Sequence, residues 1–148
     1  MRHVIFFGNP LHGDDGFGPA VFAHMKHRPL PSDVRLFEAG TCGLNALALF
    51  DGCTEAIVVD AMAPESHPGR ITQPAAETLR TEAWLPGHAA GVGFLLEALT
   101  ALGTPMPKII TAEAAALNAF SPGLSPAVQN AVEPTARLVL QMLNAEHV

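Results

Sequence analysis

Two short segments that are apolar along almost their whole length constrain the fold of this chain most strongly. They are His3–Gly8 (HVIFFG) and Glu55–Ala61 (EAIVVDA). A strand that is apolar on both sides is buried on both faces of its sheet, as in parallel sheets that helices cover from each side. The two runs therefore predict central strands of an α/β domain.

Segments with strand and helix patterns alternate along the rest of the chain. Further strands are predicted at Val34–Ala39, Arg70–Gln73 and Lys108–Glu113. Helices are predicted at Phe17–His27, Gly43–Phe50 and His88–Leu102, and from Pro126 onward with Ser125 as N-cap and a kink or broken turn at Pro134. This alternation is typical of a three-layer α/β/α domain with a mainly parallel sheet.

Size and composition are those of one folded domain. The chain has 148 residues, which is close to the usual size of a single domain, so we expect residues 1–148 to form one domain. Hydrophobic residues make up 49% and charged residues 15% of the chain, which excludes intrinsic disorder.

Charge and hydropathy exclude several classes of partner. The net charge is −6, and the eight Lys and Arg residues are scattered, so we expect no nucleic-acid partner. No apolar run approaches the length of about 20 residues that spans a bilayer, so we expect no membrane association. Two cysteines without a CxxC pair fit a cytoplasmic protein.

The residues that could carry chemistry are those just past the ends of the predicted strands, where parallel sheets place their sites. The acidic pair Asp14 and Asp15 follows the first strand, Asp60 ends the clearest buried strand, and His88 opens a helix. Together, Asp15, Asp60 and His88 form a candidate site of two carboxylates and one imidazole. Such a set suits a divalent cation such as nickel or zinc and leaves coordination positions open.

Each of these residues also has a structural interpretation. One acid of the pair is expected to cap the helix that follows it. Asp60 could be satisfied by loop N–H groups, and His88 could be an ordinary helix-start histidine. For Cys42 we favour a small, inert thiol over a nucleophile, because no partner histidine is evident.

Five motifs follow one another in order along nearly the whole chain. The most specific is GNPLHGDDGFG at Gly8–Gly18. It is followed by AGTCG at Ala39–Gly43, VVDA at Val58–Ala61, the helix-start His88 and GLSPAV at Gly123–Val128. In this order the motifs resemble those of the hydrogenase maturation endopeptidases. Carried over position by position, the metal-contacting residues of the family fall on Asp15, Asp60 and His88.

The resemblance also implies a fold and a reaction. The fold is an α/β/α sandwich around a twisted five-stranded sheet with one antiparallel strand, for which Arg70–Gln73 or its neighbour is the candidate. The reaction is removal of the C-terminal extension from the precursor large subunit of a nickel–iron hydrogenase, after a His or Arg near the last metal-binding cysteine. The nickel would belong to the substrate, and the free enzyme, expected to be a monomer, would hold it weakly or not at all.

Some positions depart from the family pattern, and other functions stay open. Glu38 stands where Asp is common, Gly87 where a small polar residue is frequent, and 112–116 (AEAAA) replaces a Gly-Ile-Glu-Pro-like segment. These departures concern substrate specificity more than chemistry. The alternatives are a nickel-binding maturation chaperone without proteolysis and a receiver-like signalling domain.

Overall fold

The computed structural model describes residues 1–41, 43–82, 90–117 and 120–145. Its strands are β1 (Arg2–Phe7), β2 (Val34–Gly40), β3 (Glu55–Met62), β4 (Ile71–Thr72) and β5 (Lys108–Glu113). Its α-helices are α1 (Phe17–Met25), α2 (Ala76–Glu82), α3 (Ala90–Ala101) and α4 (Pro126–Ala145), and two 3₁₀ helices span Gly13–Gly16 and Gly43–Phe50. The expectations for Cys42 and His88 lie outside the described residues.

The five strands form one sheet in the order β2-β1-β3-β5-β4. Neighbouring strands are parallel except for β4, which pairs antiparallel with β5 through Ile71↔Ala112 and Thr72↔Thr111. This confirms the predicted five-stranded, mostly parallel sheet, and the antiparallel strand lies within the predicted segment Arg70–Gln73.

Each face of the sheet carries a separate apolar core, because successive side chains of a strand point to opposite faces. Val4, Phe6, Val59 and Ile110 pack with α1 and α4 on one face. Ile5, Val58 and Ile109 pack with α3 and the second 3₁₀ helix on the other. The sheet is therefore the middle of three layers, as the apolar runs predicted.

Three local features differ from the sequence-based expectations. The segment Gly43–Phe50 is a 3₁₀ helix, and α2 lies where no helix was predicted. The prediction of a broken turn at Pro134 is wrong, because α4 continues through it. A proline inside a helix costs about 3 kcal/mol, whereas burying one large apolar side chain contributes about 1.5–3 kcal/mol. Val128, Val139 and Leu143 are all buried along α4, which is enough to keep the helix intact.

The strand order places a crevice at the carboxyl ends of β1 and β3. After β1 the chain forms β2 on one side of β1, and then β3 on the other side. The connections that follow β1 and β3 therefore run in opposite directions across the sheet. In open α/β sheets, ligands bind at such a switch point.

Within the part of the chain that the structure describes, no helix is both long and apolar enough to span a bilayer.

Candidate active site

The loop after β1 brings Asp15 to the crevice, and glycines make this path possible. Gly8 has φ +140°, and a Cβ there would lie 2.0 Å from the backbone oxygen of Asp15. A Cβ on Gly18 would lie equally close to the backbone oxygen of Phe7. The loop and the start of α1 therefore pack directly against the end of β1. The half-buried Asp15 accepts a 2.9 Å hydrogen bond from the Asn9 N–H through Oδ2.

The neighbouring Asp14 is buried and fully engaged in hydrogen bonds. Its carboxylate accepts the N–H groups of Ala115 (2.8 Å), Ala116 (3.2 Å) and Ser125 (2.7 Å), and the Ser125 hydroxyl at 2.9 Å. Burial alone would raise the pKa of Asp14, but these four hydrogen bonds outweigh it and hold the pKa below its usual value. Asp14 therefore joins the β1 loop to the loop after β5 and to the start of α4.

This arrangement corrects the capping interpretation. The residue at the N-cap of α1 is Gly16, and no side chain caps that helix. Asp14 accepts N–H groups that are distant in sequence, because the loop after β5 closes over it. Ser125 does precede α4 as predicted, but its hydroxyl donates to Asp14.

Asp60 lies near the end of β3 in a very different environment. Its half-buried carboxylate accepts one hydrogen bond among the described residues, from the N–H of Ala61 at 2.8 Å. Burial raises the pKa of Asp60 to about 8; the Ala61 hydrogen bond opposes this, and the negative charge of Asp15 adds to it. Among the described residues, the loop N–H groups expected to satisfy Asp60 do not reach it, and its one donor, Ala61, lies in β3 itself.

The structure brings Asp15 and Asp60 together at the switch point. The 3₁₀ helix Gly13–Gly16, which carries Asp15, lies against β3, which carries Asp60, and β1 and β3 are adjacent strands with Phe6 opposite Val59. A perturbed carboxyl beside a second carboxylate in a crevice is typical of a catalytic or metal-contacting pair. In the described ranges no three His, Cys, Asp or Glu side chains form a metal site, so a third ligand would have to come from elsewhere. The predicted third residue, His88, lies outside those ranges.

For two residues near the site, the sequence did not predict the hydrogen bonds that the structure shows. Glu113 ends β5 and is buried, where its carboxylate accepts N–H groups of the loop after β3. Ser125 was interpreted only as a cap, although it contributes two of the four bonds to Asp14. The role of Glu113 could have been predicted, because a charged residue at the end of a buried strand needs hydrogen-bonding partners.

A pocket of about 170 Å³ lies at the opposite edge of the sheet. It is lined by residues from the amino ends of β1, β3 and β5, among them His3, Ile57 and Lys108. Because this edge is a strand length away from Asp15 and Asp60, the pocket is separate from the candidate site.

Comparison with known families gives a match over most of the chain. Residues 19–142 match the family model HycI, described as hydrogenase maturation protease. A Methanocaldococcus jannaschii protein described as a hydrogenase maturation protease is 36% identical over 70 residues, which are 46% of this chain and 46% of that protein. The chain thus matches about half the length of this curated relative.

Solved structures of similar proteins share the fold. The endopeptidase HybD of Escherichia coli superposes with a TM-score of 0.85 at 24% identity, covering 98% of this chain and 93% of HybD. An E. coli endopeptidase solved in solution gives 0.84 at 26% identity, covering 100% and 95%. A hydrogenase 2 maturation peptidase from a Thaumarchaeota archaeon gives 0.72 at 30% identity, covering 96% and 97%.

Proposed function

The chain belongs to the hydrogenase maturation protease family, and we propose that it removes the C-terminal extension of a nickel–iron hydrogenase large-subunit precursor. In this proposal, cleavage follows nickel insertion and occurs after a His or Arg near the last metal-binding cysteine. The partner is the precursor itself, the enzyme acts as a monomer in the cytoplasm, and nickel arrives with the substrate.

One observation carries this proposal more than any other. Asp15 and Asp60 lie on neighbouring elements at the carboxyl ends of β1 and β3, and they are the two acids onto which the family resemblance carries its metal contacts. Asp14, by contrast, has its carboxylate occupied by four hydrogen bonds. The Asp15 carboxylate accepts one hydrogen bond from the described residues, at Oδ2, so of the acidic pair Asp15 is the residue that can face a substrate.

Peptide-bond cleavage in this proposal uses the nickel that the substrate brings to the enzyme. The nickel of the precursor contacts Asp15, Asp60 and His88. It either polarises the scissile carbonyl or lowers the pKa of an attacking water. Asp60 or Asp15, whichever carboxylate is not fully used as a ligand, accepts the proton of that water.

The raised pKa of Asp60 suits a site that engages a metal only when the substrate is present. At neutral pH a carboxyl with a pKa of about 8 is largely protonated. A divalent cation competes with that proton, so the carboxylate ionises as the precursor's nickel arrives. Because binding has to displace this proton, we expect the free enzyme to hold nickel weakly.

The decisive experiment compares nickel-loaded with nickel-free precursor large subunit and reads the C-terminal mass of the product. We expect cleavage of the loaded form only. Equal cleavage of both forms would contradict nickel recognition, and cleavage of neither would contradict the proposed function. Tight nickel binding by the free protein without any cleavage would favour a nickel-binding chaperone.

A further inference from the structure

We propose that Glu113 is a positioning residue that holds the segment 63–70 as a recognition loop for the precursor, an inference that rests on the proposed function. We call this segment the β3–β4 loop. It begins directly after β3, the strand that carries Asp60, and so borders the candidate site at the carboxyl edge of the sheet.

The β3–β4 loop is anchored almost entirely by Glu113. Its Oε2 accepts the N–H of Glu65 at 3.2 Å and the N–H of His67 at 2.6 Å. Its backbone oxygen accepts the N–H of Gly69 at 2.7 Å, and its own N–H donates to the oxygen of Arg70 at 3.0 Å. The Arg70 guanidinium lies 3.7 Å from Oε1.

The anchor is buried whereas the loop side chains are not. The Glu113 side chain is 3% exposed, yet residues 64 to 68 are all exposed. Hydrogen bonds between a carboxylate and N–H groups are among the stronger ones in proteins. The loop therefore turns its N–H groups inward to Glu113 and presents its side chains to solvent.

The far end of the loop is clamped against α4. Gly69 has φ +84°, and a Cβ there would lie 2.5 Å from the backbone oxygen of Ala127. Only glycine fits this contact. The loop is thus held at both ends and through its middle, which fits a rigid surface for a partner better than a loose connection.

The exposed centre of the loop offers a polar pair. The Ser66 hydroxyl and His67 Nδ1 lie 2.8 Å apart, so the two side chains support each other. The loop starts directly after the strand that carries Asp60, so it borders the path of a polypeptide that reaches Asp60 from the side of β5 and β4. We therefore assign to His67 and its neighbours the contact with the precursor, and to Glu113 the task of holding them.

The test measures kcat, KM and the binding constant for nickel-loaded precursor in Glu113→Ala, Glu113→Gln and His67→Ala. We expect Glu113→Ala to raise KM roughly tenfold with little change in kcat, because the released loop must be ordered again on binding. Glu113→Gln keeps an oxygen acceptor and should restore most of the affinity. His67→Ala should raise KM roughly threefold or more, as the loss of one interface side chain does.

Matched controls separate recognition from stability. His27→Ala removes an exposed histidine just after α1, at the other edge of the molecule, and should change nothing. Hydrogen exchange of the Glu65 and His67 amides should accelerate in Glu113→Ala and stay slow in Glu113→Gln. Unchanged amide exchange in Glu113→Ala would overturn the positioning role.

The recognition role has its own decisive outcome. If Glu113→Ala fails to fold, His67→Ala decides, and a wild-type KM and binding constant in that variant would overturn the proposal. If the wild-type protein binds the precursor without cutting it, the proposed function fails, while the binding constants still test the loop.

Discussion

Asp14 and Asp60 are carboxylates at the same edge of one sheet, and their environments are opposite. Asp14 accepts four hydrogen bonds, which hold its pKa below the usual value although burial alone would raise it. Asp60 accepts one hydrogen bond from the described residues, and burial raises its pKa to about 8. The contrast separates a carboxylate that holds the loops together from one to which we assign a contact with the substrate.

The largest effect is expected for Asp60→Asn on processing. If Asp60 acts as a base or a metal contact, this substitution should slow precursor cleavage by at least about a hundredfold. The measurement is product formed from nickel-loaded precursor, followed by mass. Asp51→Asn is the matched control, because it makes the same substitution at an exposed aspartate, and this variant should cleave the precursor normally. A near-wild-type rate for Asp60→Asn would remove the residue from the site.

Asp14→Asn should act on stability. The substitution removes the charge and one of the two oxygen acceptors, and it turns an amide toward N–H groups that donate to Asp14. We expect a loss of about 3 kcal/mol in the free energy of unfolding, measured by urea denaturation. A loss below that of an ordinary surface substitution, about 0.5 kcal/mol, would show that the four bonds do not join the loops.

The two carboxylates should respond to pH with opposite signs. The pKa of Asp60 is raised on folding, so its contribution to stability is complete below about pH 4 and is lost as pH rises toward 8. The pKa of Asp14 is lowered, so its contribution is present above about pH 4 and is lost as pH falls below that.

The test compares the metal-free wild-type protein with Asp60→Asn by urea denaturation at pH 5 and pH 8. Because Asn cannot ionise, the stability of the variant relative to wild type should rise between pH 5 and pH 8, by roughly 1.4 kcal/mol for each pH unit. Asp51→Asn again serves as control and should show no such relative gain. A constant difference at both pH values would mean that Asp60 ionises normally.

The smallest effect is expected for Ser125→Ala. It removes one of the four hydrogen bonds to Asp14 and leaves the other three, so we expect a loss of about 1 kcal/mol in unfolding free energy. Ser121→Ala is a suitable control, because Ser121 is an exposed serine of the same loop region. Equal stability of the two variants would show that the hydrogen bond from the Ser125 hydroxyl to Asp14 does not stabilise the fold.

Much of the architecture was predictable from local pattern. The runs around Ile5 and Val58 are apolar on both sides, which is possible only for strands covered on both faces, and the structure places each between two cores. The 3₁₀ geometry of Gly43–Phe50 and the intact turn at Pro134 were not predictable. Both depend on packing against other elements, which propensity does not include.

The sequence by itself determined the fold class and the candidate residues, because hydrophobic periodicity and strand-end position are properties of nearby residues. It also placed an acidic pair after β1, and the family resemblance assigned the metal contact to Asp15, but no local pattern could say what Asp14 does. Only the tertiary structure decided that, since the partners of Asp14 lie about a hundred residues away at Ala115, Ala116 and Ser125. The same holds for Glu113 and the β3–β4 loop, because a buried charge takes its role from whichever distant N–H groups the fold brings to it.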